Sequence, residues 1–244
     1  MKSRTRTLSG VIIAVFALPV FMGLTACLPS FPVPVGDPEK STIDPTISGI
    51  WLAEEEEAFY LFEPFDKRTW LLTAFGLTED LESCEDEEKL EEETDEEEEE
   101  LSYYDEVMTN IAALGTDCFA VERGPGATKV WRTKLGGEWF MTWENKGVFD
   151  AESGFDPGAW LVFHVDTSVP GELRLGWIDM THDAWDKLDD LDEEDVTRRM
   201  VEKIIRKHAD EEEFYEEEAF LIFYRVLPQH YDLIEDFIDE GMVD

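Results

Sequence analysis

The 244-residue sequence predicts a mainly-β fold: a single antiparallel barrel or strongly curved sheet of about eight or nine strands, with two or three packed amphipathic helices. The first observation behind this is a period of two. In "EWFMTWE" the residues Trp139, Met141 and Trp143 share one face, and in "ELRLGWI" Leu173, Leu175 and Trp177 do the same. The second is the glycine-bearing links "KLGGE" and "VPGE", which suit hairpin turns between such runs. The third is a small number of stretches whose apolar residues recur at helical spacing.

Taken in order, the strand-like runs are "ISGIWL", "AFYLFEPF" and "TWLLTAFG", then "DCFAV", "TKVWRTK", "GEWFMTWE", "AWLVFHVDT", "ELRLGWIDM" and "AFLIFYRV". Three helical passages interrupt or follow them. "YYDEVMTNIAAL" stripes Tyr104, Met108 and Ile111 and stops at Gly115, a suitable residue just past a helix end. "DVTRRMVEKIIRKHA" stripes Val196, Met200, Val201, Ile204 and Ile205, and "PQHYDLIEDFIDE" stripes Leu233, Ile234, Phe237 and Ile238. Each has one apolar face and is expected to pack on the sheet or cap a barrel end. One core suffices for this length, so residues 47–244 are read as a single domain. Its acidic low-complexity insertion, about 79–106, carries 18 acids against Lys89 alone.

The formal charge is −39, and the acidity extends well beyond the insertion. Nucleic-acid phosphates need basic residues to neutralise them, so a nucleic-acid partner is excluded. A salt-adapted source would account for such a surface, and so, less economically, would cation binding.

The first residues are basic (Lys2, Arg4, Arg6), and an apolar run from Val11 to about Gly23 follows. That run is too short to span a bilayer comfortably and ends in small residues, the pattern of a secretory signal. It closes on Leu24-Thr25-Ala26-Cys27. "LTAC" resembles the lipobox of bacterial lipoproteins. The resemblance implies cleavage after residue 26 and a diacylglycerol on the Cys27 thiol, with further acylation of the new amino terminus. More than one acyl chain gives a stable membrane anchor. Residue 28 is leucine, not the aspartate that retains enteric lipoproteins in the inner membrane, so the implied location is the outer membrane, facing the periplasm, with surface display left open. Loss of residues 1–26 removes Lys2, Arg4 and Arg6 and no acid, taking the charge to −42. Residues 27–46, with five prolines from Leu28 on, are expected to form a semi-rigid tether.

With Cys27 acylated, Cys84 and Cys118 are the remaining thiols. In an oxidising compartment they form the candidate disulfide, two free thiols being the other reading.

Gly49-Ile50-Trp51 matches the short G-x-W signature that opens the first strand of lipocalins. This resemblance implies that Trp51 closes the barrel floor and that an arginine late in the chain stacks on it; Arg225 is the candidate. The long insertion and a helix before the last strand depart from the lipocalin pattern.

Catalytic and metal signatures are missing. His164, His182, His208 and His230 show no H-E-x-x-H spacing, there is no C-x-x-C and no G-x-S-x-G, and "RGPGATK" lacks phosphate-loop spacing. His164 alternates with Trp160 and Val162 and reads as a core or lumen histidine. "DMTHD", with Asp179, His182 and Asp183, reads as a polar loop. No metal site and no cofactor is expected. One cluster stands out in so acidic a chain: Arg198, Arg199, Lys203, Arg206 and Lys207, joined by His208, crowd one helix. With Asp192 to Asp195 preceding it, the helix matches its own dipole, and salt bridges to neighbouring acids would explain the cluster. The functional reading is a contact for an anionic partner, an envelope protein or lipid headgroup.

The function expected is therefore that of a lipid-anchored envelope protein, non-catalytic, structural or interacting with other proteins. Two alternatives come from other classes: a lipocalin-like carrier of a small apolar ligand, and a hydrolase whose site the sequence hides.

Overall fold

The computed structural model describes residues 30–54, 58–79, 102–114, 119–123, 127–144, 159–189 and 191–234. The strands are β1 (Ser30–Phe31), β2 (Gly49–Ala53), β3 (Ala58–Pro64), β4 (Trp70–Glu79), β5 (Phe119–Arg123), β6 (Thr128–Leu135), β7 (Glu138–Glu144), β8 (Trp160–Asp166), β9 (Glu172–Ile178) and β10 (Tyr215–Arg225). Helix α1 (Tyr103–Leu114) lies between β4 and β5, and α2 (Asp186–Asp189) and α3 (Arg198–His208) between β9 and β10.

Eight strands close into an antiparallel barrel in the order β2-β3-β4-β6-β7-β8-β9-β10, with β10 returning to β2. The seam pairs Arg225 with Trp51 and Phe223 with Ala53. The other two strands sit at the rim. β1 extends the sheet at the start of β8, and β5 pairs the far half of β4, whose near half pairs β6.

Alternation sends every second residue inward. Trp51, Tyr60, Phe62, Trp70, Leu72, Met141, Trp143, Phe163, Leu173, Leu175, Trp177 and Phe223 form one buried cluster inside the ring. Their rings interlock: Trp143 on Phe163 at 4.7 Å, Phe163 on Trp177 at 4.5 Å, and Tyr60 against Phe223 at 5.1 Å between centroids. Aromatics of this size fill an eight-stranded barrel, so the lumen is a packed core.

The outer face carries two further apolar layers. The α1 stripe of Tyr104, Met108 and Ile111 covers Ile50, Leu52, Phe59 and Phe75, with Val226 and Ile234 joining from the C-terminal side. Val201 and Ile205 of α3 cover Leu135, Phe140, Val162 and Ile178 together with Phe31, Val35, Trp185 and Phe214. Residues 231–234 are helical, as expected for the start of "PQHYDLIEDFIDE"; the rest of that passage lies outside the described residues.

Three expectations are corrected. Over residues 30–46 the proline-rich stretch is no free tether. Phe31 and Val35 are buried, the Val35 carbonyl accepts from Trp131 and Thr142, and Ser41 hydrogen-bonds the Arg132 carbonyl. Beyond β1 the prolines interrupt regular structure, but the apolar side chains between them still find the outer face of the barrel. His164 is not in the lumen either. It sits on the outer face between Phe140 and Tyr215, 3.4 Å from Glu138, because inward positions on β8 fall on Leu161, Phe163 and Val165. Finally, the helical passage read from Asp195 begins only at Arg198, so the acids that precede it do not reach its first turn. Glu193–Asp195 form a separate 3-10 turn, and the first turn of α3 carries Arg198 and Arg199 with no acid.

Candidate functional site

The segment from β9 to β10 builds an aromatic hub. Asp179 bends the chain by accepting from the Thr181 amide and hydroxyl, both at 2.7 Å, and its carbonyl accepts the Trp185 indole N–H at 2.9 Å. Trp185 is thereby turned inward, stacked on Phe214 at 5.5 Å and edge-on to Phe31 at 5.5 Å. Phe214 is fully buried, with His182 edge-on to it at 5.4 Å and His208 stacked on it at 5.8 Å.

Over this hub α2 and α3 stand apart and leave a groove of about 430 Å³. That is within the roughly 300–1,000 Å³ of small-molecule sites. Its floor is apolar, from Ala184, Leu188, Met200 and Ile204, and its rim carries Lys187, Lys203 and Lys207. Arg198, Arg199, Lys203, Arg206 and Lys207 are all exposed along α3. Arg206 stands 3.8 Å from Glu202, whose carboxylate also accepts the Gly36 amide at 3.1 Å.

At one end of the groove His182, His208 and Glu211 place their ligand-type atoms within 4.8 Å of one another. Two imidazoles and a carboxylate are a donor set that suits several transition metals. The protons argue otherwise. Nδ1 of His182 accepts the Ala184 amide at 3.1 Å, which puts the ring proton on Nε2, 3.8 Å from Glu211. The Lys207 ammonium lies 3.1 Å from Nε2 of His208, whose Nδ1 is 2.7 Å from the Glu211 carboxylate. A cation would have to displace both arrangements beside an ammonium group. The hydrogen bond from His208 holds the Glu211 carboxyl below its usual range.

The structure also brings Trp51 and Arg225 together. Arg225 stands 5.4 Å from the Trp51 ring and donates to the carbonyls of Thr46 and Ser48. Ile43 and Ile47 pack on the lumen cluster at the same end, and Arg132 bridges Trp139, at 4.1 Å, to Asp44, at 2.7 Å. Cys27, Cys84 and Cys118 lie outside the described residues. Sequence reasoning missed Lys187 and Glu211 and the pairing of His182 with His208. Residues 182 and 208 are joined only by their common seat on Phe214, and spacing carries no sign of that.

No family model, curated protein or solved structure matches this chain.

Proposed function

We propose that the chain is a lipid-anchored cell-envelope protein, acylated on Cys27 and held on the periplasmic side of the outer membrane, that works through its surfaces and catalyses no reaction. The observation that carries the surface part of this reading is the filled lumen. A barrel packed with Trp70, Trp143, Phe163 and Phe223 and closed at one end by Trp51 and Arg225 is a rigid scaffold. The anchoring part rests on "LTAC". Metabolic palmitate labelling tests it. Wild-type protein should be labelled and resist carbonate washing of membranes, whereas Cys27→Ser should be unlabelled. A labelled Cys27→Ser, or a wild type washed off by carbonate, overturns the anchor.

A second reading has the α2–α3 groove to stand on: a carrier that holds an apolar ligand outside the barrel. Saturable binding of an apolar fluorophore, abolished by Met200→Glu, would favour the carrier over the scaffold.

A further inference from the structure

The anchor and the basic helix come together in one place. Ser30 and Phe31 are fixed to β8, and Phe31 packs on Trp185 in the cluster that holds Val201 and Ile205 of α3. Phe31 and Pro32 share a surface hollow with Leu188, Val196 and Val201, and Leu188 also lines the groove of Lys203 and Lys207. Further on, the Gly36 amide donates to Glu202 of α3. Cys27 precedes Ser30 by three residues, so the Cα from which the lipid would extend can lie no farther than about 11 Å from that of Ser30. The anchored face of the barrel is therefore the face that carries α3.

We propose that α3 and the groove beside it form the surface the protein turns toward its membrane, with Lys203, Lys207 and the neighbouring arginines lying against anionic phospholipid headgroups. This rests on the lipid-anchored reading above. Charge decides the orientation. A chain that carries a formal charge of −42 once residues 1–26 are lost is repelled by an anionic bilayer on almost every face, within a Debye length of about 10 Å. On the α2 side of the groove Asp183 and Asp186 stand exposed beside Lys187, and acids flank α3 at its ends, in residues 192–195 and 210–213. Between them the 11 residues of α3 carry five exposed cations against Glu202 alone, whose carboxylate is engaged by the Gly36 amide. A short anchor confines the barrel near the surface, and rotation to this face minimises repulsion and gains contacts with phosphates. Met180, 36% exposed beside Phe31 and Trp185, adds an apolar contact next to the anchor. Without the lipid, net repulsion should prevent binding.

The test uses the mature protein purified from membranes and reconstituted in vesicles of phosphatidylglycerol with phosphatidylcholine, or of phosphatidylcholine alone. Lysines are labelled with an amine-reactive reagent and read by mass spectrometry. Lys67, exposed in the β3–β4 turn across the ring from β8, is the internal reference. Lys203 and Lys207 should label at least threefold more slowly in the anionic vesicles, with Lys67 unchanged, and 1 M salt should remove the difference. Equal labelling in both vesicles overturns the proposal. So does equal protection in detergent, which would mean self-association, or greater protection of Lys67. The N-terminal peptide is weighed in the same run. An unacylated Cys27 overturns the anchored reading and this proposal with it, whereas an acylated Cys27 with freely labelled Lys203 and Lys207 overturns this proposal alone.

Discussion

Arg225 holds its guanidinium 5.4 Å from the centre of the Trp51 ring while donating to the carbonyls of Thr46 and Ser48 at 2.6 and 2.8 Å. The two residues are also partners across the β10–β2 seam, so one side chain ties together the last strand, the first barrel strand and the segment that leads into it. Arg225→Ala should cost about 2–3 kcal/mol in urea unfolding, from the lost cation–π contact and two charge-assisted hydrogen bonds. Arg225→Lys keeps the charge but not the fork, and should recover less than half of that. An unchanged midpoint for the alanine variant would show the seam to be indifferent to the pair.

Trp70 and Trp143 are both buried in the lumen, yet they differ at the indole nitrogen. Trp70 donates to the Ser48 hydroxyl at 3.0 Å, whereas the Trp143 N–H has no hydrogen-bond partner among the described residues. Truncation to phenylalanine removes similar packing at each site. At Trp70 it also strands Ser48, and at Trp143 it relieves an unsatisfied donor. Trp70→Phe should therefore be less stable than Trp143→Phe by about 1–3 kcal/mol. Equal losses would mean that packing alone governs both sites.

Gly136 turns the β6–β7 hairpin at φ +63°, and a side chain there would meet the Ala209 Cβ at 2.7 Å and the Arg206 carbonyl at 2.9 Å. Gly171 has φ +86° with open space around it. Gly171→Ala should carry only the backbone cost of roughly 1–2 kcal/mol. Gly136→Ala adds a clash that pushes α3 off the barrel, so its melting temperature should fall further, and Trp185 fluorescence should report the displacement.

The Asp44 carboxyl is pushed up by partial burial, but the Thr46 hydroxyl and amide and the Arg132 guanidinium outweigh this and hold it below the usual carboxylate range. A depressed folded value contributes stability that is complete above the unfolded value of about 3.9 and disappears as pH falls through the folded one. Asp44→Asn should cost about 1 kcal/mol at pH 7 and progressively less as pH falls below about 4, measured by denaturation across that range. A cost independent of pH would exclude the carboxylate charge as its source.

The strands were legible because the barrel obeys a period of two. Trp139, Met141 and Trp143 all face inward, and so do Leu173, Leu175 and Trp177. The helices were legible for a similar reason, and α1 spans Tyr103–Leu114 as its stripe predicts. What escaped was packing that follows no period. Phe31 and Val35 are separated by prolines and glycine-free turns, and nothing local says that they find Trp185 and Thr142. Likewise Arg132 occupies an inward position on β6 that alternation would assign to an apolar residue. It is tolerated because Trp139 and Asp44, distant in sequence, meet it at the barrel end. The basic helix was visible as composition, but the groove beside it depends on Trp185 and Phe214 setting the spacing of α2 and α3.

The seam at β2 and β10 has a consequence for the order of folding. Most neighbours in the ring are neighbours in sequence and can zip as hairpins while the chain is still being made. The seam cannot, because Arg225 must find Ser48 across 177 positions. Until β10 emerges, β2 presents an unpaired, apolar edge, "GIWLA", that would stick to any other strand. A chain threaded amino terminus first through a narrow pore would therefore stay unlocked for nearly its whole passage, and would close only when its final strand was through.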